Sequence, residues 1–284
     1  MGLTLLTSVG CGAPVDDAGQ DVDSAADAIV RGNVEQERDE VVMIEVLRSD
    51  GGTALCSGTV FAPRAVLTAA HCLEQGEFAI VYWGNDYFTD FEQLFDYYAL
   101  PHNFRFSVEM VQHPRFNLTN LDSDVGVIHV DRDFPFDPMP LAFRQLSKRY
   151  EGDGVEIVGF GAEESDASNA GGPGAYVKRS GTTSFQGSPA RYPLPPNPHP
   201  GLTDRRIRRQ LMELDGSDPQ SNGCFGDSGG PAIMRLAGKD RIVGVMSWVG
   251  DFCEDFSYSV RVNHVLRFLL KEAKRARKGE VGAP

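Results

Sequence analysis

Between Asn222 and Pro231 the sequence reads Asn-Gly-Cys-Phe-Gly-Asp-Ser-Gly-Gly-Pro. No other stretch limits so sharply the folds open to this chain. Glycines at 226, 229 and 230 leave the backbone free to enter conformations closed to other residues. Such a loop can turn the N–H groups of Gly226 and Ser228 toward one point, where they would stabilise an oxyanion forming on a bound carbonyl. The Ser228 hydroxyl is a poor nucleophile alone and requires a base. His71, within Thr68-Ala69-Ala70-His71-Cys72, is the candidate base. Asp124, within Asp124-Val125-Gly126-Val127-Ile128, is the candidate carboxylate that orients it. A fold that serves this loop must therefore bring together three segments far apart in the chain.

Taken in this order, the three motifs resemble those of the chymotrypsin/trypsin-like serine proteases. Weaker echoes lie at Ile29-Val30-x-Gly32, His113-Pro114, Gly159-Phe160-Gly161 and Ser247-Trp248. The resemblance implies an all-β fold of two antiparallel six-stranded β-barrels, chymotrypsin-like, with a C-terminal α-helix. The protease domain is expected over 29–284, with barrels over 29–140 and 141–262 and the helix over 262–277. It implies peptide-bond hydrolysis through an acyl-enzyme, with a His71/Asp124/Ser228 triad and an oxyanion hole from Gly226 and Ser228. It also implies disulfides Cys56–Cys72 and Cys224–Cys253, each closing a loop whose constraint contributes roughly 3 kcal/mol. These in turn point to an oxidising, extracytoplasmic compartment, and a secreted, bacterial-type member is expected.

By itself, the pattern of the sequence reaches only an all-β fold with a C-terminal helix. Short apolar or alternating runs recur at Val41–Leu47, Gly58–Phe61, Ala65–Thr68, Phe78–Trp83 and Val125–Val130, as in an antiparallel barrel or sandwich. Asp50-Gly51-Gly52 is a hairpin signal. The aromatic, acidic residues 84–106 read as surface loop and core filler, with no metal assigned. Prolines 135, 138 and 140 mark the connection between halves, and strand signals return at Val155–Gly159, Ala232–Arg235 and Ile242–Trp248. The Gly/Ser/Asn-rich stretch 162–175 and the proline-rich stretch 188–201 read as loops. Val262–Arg277 has an amphipathic helical pattern with its basic residues late, as a helix C-terminus favours.

Composition narrows the partners. A net charge of −13, from 40 acidic against 27 basic residues, argues against nucleic acid. No apolar run approaches the ~18 residues of a membrane span. Protein or peptide substrates, an activating protease, a monomeric state and no cofactor are expected. Residues 1–12 resemble the tail of a bacterial lipoprotein signal, with Cys11 as the lipidation candidate and the one route to a membrane; a plain signal remnant is the other reading. Residues 13–28, small and acidic, read as a pro-segment or tether.

The resemblance extends to activation and specificity. A cut before Ile29 would free an α-amine to pair with Asp227, although Ala28 stands where a basic residue is usual and Arg31 where glycine is. Asn222 falls at the pocket floor and is neutral, and Val249 narrows a wall that glycine leaves open. With Ser247 and Trp248, which would pair with the substrate backbone as an added strand, these residues point to a small or medium uncharged side chain before the cut. Two rivals stand beside this reading. Gly226-Asp227-Ser228-Gly229-Gly230 also fits the elbow of an α/β-hydrolase esterase, with Asp251 and His264 completing its triad. The other rival is a protease-like domain retained only for binding.

Overall fold

The computed structural model describes residues 29–92, 103–162, 174–189, 203–250 and 253–281. Cys11, the segment 13–28 and Asp251 lie outside them. Short apolar strands dominate. β1 (Asn33–Val34) is followed by β2 (Val41–Arg48), β3 (Thr53–Ala62), β4 (Ala65–Thr68) and β5 (Gly76–Tyr82). A short helix α1 (Tyr87–Glu92) precedes β6 (Phe104–Gln112) and β7 (Gly126–Val130). Strands β2-β3-β4-β7-β6-β5 close into an antiparallel barrel. The expected hairpin turns at Gly51, whose φ of 84° is cheap only for glycine. Strands β4 and β7 are buried along their whole length, because one side faces the barrel interior and the other is covered by neighbouring elements.

The second half supplies β8 (Gly154–Gly159), β9 (Arg179–Gly187), helix α2 (Arg205–Arg208), β10 (Leu211–Gly216), β11 (Pro231–Leu236), β12 (Lys239–Val249) and β13 (Asp255–Arg261). The order β9-β10-β13-β12-β11-β8, with β8 paired back to β9, closes the second six-stranded barrel, and β1 adds to β9. Two antiparallel six-stranded barrels with a C-terminal helix are therefore the architecture that the resemblance implied. Aromatic residues of 84–106 do fill core: Tyr87 is buried, and its ring sits edge-on to Tyr82 at 5.4 Å.

Helix α3 (Val262–Lys278) ends at Gly279 in the left-handed conformation, with Arg275, Arg277 and Lys278 in its last turn. It packs on the first barrel although it follows the second. Its buried Glu272 accepts from Arg275 at 2.7 Å and meets Nε2 of buried His129, on β7, at 3.1 Å. Arg275 continues to Glu109 of β6 at 2.7 Å. Another polar clamp joins the barrels. Fully buried Lys178, just before β9, donates its ammonium to the carbonyl of Arg38 at 2.8 Å and reaches that of Trp83 at 3.4 Å.

Candidate active site

His71 opens a 3-10 turn directly after β4. The turn is fixed to β3 by the Cys56–Cys72 disulfide, with Cα atoms 6.3 Å apart. Asp124 sits just before β7, in a turn where Ser123 takes a φ of 53°. That turn is held from below: Asp122 accepts from Arg206 of α2 at 2.7 Å and from Gln210 at 3.0 Å. These supports bring two segments of the first barrel together. Nδ1 of His71 lies 2.7 Å from Oδ2 of Asp124, and the His71 backbone N–H donates to Oδ1 at 2.8 Å. Asp124 is fully buried, while the His71 side chain is 25% exposed.

A residue of the second barrel completes the carboxylate's shell. Ser247 Oγ donates to the same Oδ2 at 2.7 Å. The pairing of β12 with β13 slips between Met246 and Trp248, a bulge that leaves Ser247 unpaired and re-aims its side chain. Burial alone would raise the Asp124 pKa. The His71 charge and hydrogen bond, with the donors from Ser247 and the His71 backbone, more than reverse this and hold it below the usual carboxylate range. For His71, burial opposes the charged ring but Asp124 outweighs it, so its pKa is raised above the ordinary value.

The loop carrying Ser228 is folded onto the first barrel. The Ser57 N–H donates to the Ser228 carbonyl at 2.9 Å, and Ser57 Oγ donates to the Gly226 carbonyl at 3.0 Å. At Gly229 the φ is 85°, and a Cβ would lie 2.1 Å from Thr68 Oγ1, so glycine is required on both counts. Gly226 has a φ of 100°. Among the described residues the N–H groups of Gly226 and Ser228 have no protein acceptor, whereas those of Asp227, Gly229 and Gly230 are all engaged. The Cys72 sulfur lies 3.8 Å from His71 Nε2 and 3.7 Å from the Ser228 carbonyl, so the disulfide is wedged between the two segments. His71 and Ser228 line one cleft of about 310 Å³, and no hydrogen bond joins the ring to the hydroxyl. Cys56, Cys72 and His71 have the mutual closeness of a metal-ligand group, but sulfurs joined in a disulfide offer no thiolate to an ion.

Leu118, Leu121, Phe225, Met246, Trp248 and Val249 also line the cleft. Asn222, expected at its floor, is not among these lining residues. It is fully buried, and its amide donates to the carbonyls of Cys253 at 3.1 Å and Phe256 at 3.3 Å. Met246 lines the cleft, with its sulfur packed so closely on Gly223 that a Cβ there would be 2.2 Å away. The Cys224–Cys253 disulfide ties the serine loop to the segment below it.

Ile29 is fully buried; Asp227 accepts the N–H groups of Gly161 and Cys224 at 2.8 Å each, and the Ile29 N–H also acts to lower its pKa. Burial nonetheless dominates, and the Asp227 pKa is pushed up to about 7. Ile29 and Arg31 take φ of 52° and 59°, a conformation that L-residues avoid. Arg31 is held there by its guanidinium, which donates to the carbonyls of Gln220 and Gly216. His264 does not line this cleft; with His113 it lines a separate groove.

Residues 29–269 match the family model described as Trypsin. Collagenase of Hypoderma lineatum is 24% identical over 216 residues, covering 74% of this chain and 72% of that protein. Serine protease SP24D of Anopheles gambiae is 26% identical over 233 residues, covering 79% and 73%. The solved HL collagenase structure superposes with a TM-score of 0.67 at 21% identity, covering 87% of this chain and 99% of that one, which speaks to the fold. These relatives are insect proteins, so the expected bacterial type has no support among them. With a family match running from Ile29 across both barrels, the chain belongs to the trypsin family and is a serine endopeptidase.

Proposed function

We propose that hydrolysis proceeds through Ser228 as nucleophile, His71 as general base and then general acid, and Asp124 as the group that fixes the imidazole tautomer. The observation that carries this reading is the His71–Asp124 pair at 2.7 Å on the wall of the cleft that Ser228 shares. With Nδ1 committed to Asp124, Nε2 is the nitrogen left to take the hydroxyl proton. Catalytic ring-to-hydroxyl bonds are often long in unliganded enzymes, and this one is expected to close when substrate fills the cleft. The unengaged N–H groups of Gly226 and Ser228 support an oxyanion hole at that place. Substrate pairs as an added strand along Ser247–Val249. Labelling with a fluorophosphonate, with the adduct located by mass spectrometry, tests the nucleophile. Modification anywhere but Ser228 refutes the assignment.

The side chain before the scissile bond is small or medium-sized and uncharged. Met246 and Val249 support this by filling the cleft with apolar bulk. Activation follows a cut before Ile29. Asp227, fully buried and without a full counter-charge, supports it: a new α-ammonium group at Ile29 supplies that charge where an amide N–H now stands. The esterase alternative loses its base, since His264 lies in another groove. His71→Ala should abolish turnover while His264→Ala leaves it intact.

A further inference from the structure

A groove of about 710 Å³ runs between the end of β6 and one stripe of α3. The helix contributes His264, Arg267, Phe268 and Lys271, spaced so that they share a face. His113 and Arg115 form the opposite wall, and Val111, Val265 and Phe268 the apolar floor. No acidic side chain is among the described lining residues. Arg115 and Arg267 make no ion pair among the described residues, while Lys271 leans on Glu272 at 3.3 Å. In a chain of net charge −13, this is a local reversal of sign over an apolar floor.

The groove also stores unrelieved repulsion. Burial first, then Arg115 and the facing histidine or arginines, hold His113 and His264 below the ordinary histidine pKa. Asp122 pulls the other way on both, but its carboxylate is already held by Arg206 at 2.7 Å. Arg206 and Arg261 add further positive charge near His264. Carboxylates entering here would relieve this repulsion and gain cationic partners together.

From Arg115 the chain passes directly into the loop that carries Leu118 and Leu121 to the wall of the catalytic cleft. The groove and the cleft therefore share one short connection, and a single extended polypeptide can reach both. We propose that this groove is an exosite for an acidic peptide segment of a protein substrate, its carboxylates on Arg115 and Arg267 and an aliphatic or aromatic side chain on the floor made by Val265 and Phe268. The apolar floor favours such a peptide over a sulfated polysaccharide, which has no side chain to place there.

The test uses the full chain carrying Ser228→Ala, so that binding is read without cleavage and independently of the role given to Ser228. A fluorescein-labelled peptide rich in Asp and Glu, with one Phe and one Leu, is titrated by anisotropy. Saturable binding is expected, weakened about 10-fold or more by Arg115→Glu with Arg267→Glu, since like charges replace partners. Binding should tighten as pH falls below the ordinary histidine value, because His113 and His264 then gain charge. In the otherwise native enzyme, the same two substitutions should leave cleavage of a short uncharged peptide unchanged. The proposal fails if the acidic peptide does not bind, if its Asn/Gln counterpart binds equally, or if the charge reversals change nothing. Binding of heparin or of anionic phospholipid vesicles without binding of the peptide also overturns it.

Discussion

Ser247 and Asp124 come from different barrels, and the hydroxyl of the one donates to Oδ2 of the other at 2.7 Å. That oxygen is the one that meets the His71 ring, so the second barrel helps to hold the first barrel's carboxylate in its ionised, correctly turned form. Ser247→Ala removes one hydrogen bond to a charged group, worth about 1.5–3 kcal/mol. Turnover should fall roughly 10- to 100-fold if most of that energy is used to orient the imidazole. Steady-state kinetics on a peptide substrate checks this. A variant of unchanged kcat would show that the other bonds to Asp124 are enough.

The pH dependence of activity follows from His71. Its pKa is raised above 6.5, and only the neutral ring can accept the hydroxyl proton. The acid limb of kcat/KM should therefore have its midpoint above 6.5, and a midpoint below that value contradicts the pairing seen here. Stability runs differently for the two partners. The contribution of His71 is fully present below its unfolded pKa and is lost as pH rises through the raised folded value. That of Asp124 is present above its unfolded pKa of 3.8 and is lost as pH falls through its lowered folded value.

Asp227 makes the uncut chain sensitive to pH in another way. Its folded pKa of about 7 lies above the ordinary 3.8. The stability it contributes is complete below the lower value and is lost as pH rises through the upper one. Denaturant titrations of the uncut chain should thus show a falling midpoint between those limits. Protein that starts at Ile29 should lack the fall, because the ammonium group favours the ionised carboxylate. Asp227→Asn should flatten the uncut profile and remove any gain in activity on cutting. Equal profiles for cut and uncut protein would refute the proposed pairing.

Met246→Ala tests whether this residue limits the size of the cleft. Removing a buried methionine side chain costs about 2–5 kcal/mol of stability, and the new space lies beside Gly223 and Val249. The ratio of kcat/KM for a phenylalanine before the cut to that for alanine should rise several-fold, toward the tenfold that about 1.4 kcal/mol represents. No change in that ratio would mean that another residue sets the limit.

Much of this molecule was legible in its sequence, but unevenly. The apolar runs in β4 and β7 announce strands because both their faces are covered, and those in β2, β5 and β12 because most of their length is buried. Strand β9, reading Arg-Ser-Gly-Thr-Thr-Ser-Phe-Gln-Gly, gives no such signal; it is a strand because β8 and β10 pair with it on either side. The bulge at Ser247 is equally silent, since nothing local to Met246-Ser247-Trp248 says that the ladder slips there. Strand pairing with the substrate was expected of Ser247, and its side-chain bond to Asp124 was not foreseen. The bonding of Asn222 was equally illegible: its place in the motif is clear, but that its amide is spent on the carbonyls of Cys253 and Phe256 appears only once the chain is folded.

The Lys178 clamp has a consequence for any attempt to take the protein apart. Its ammonium group belongs to the second half, while both carbonyls that receive it belong to the first. A fragment ending before β8 would keep a pair of inward-facing acceptors with nothing to fill them. The matching C-terminal fragment would carry an unsheltered amine. Split and co-expressed, the pieces would have to restore that buried cation along with the contacts from Ser57 to the Ser228 loop and from Ser247 to Asp124, so the two halves are expected to be stable only together.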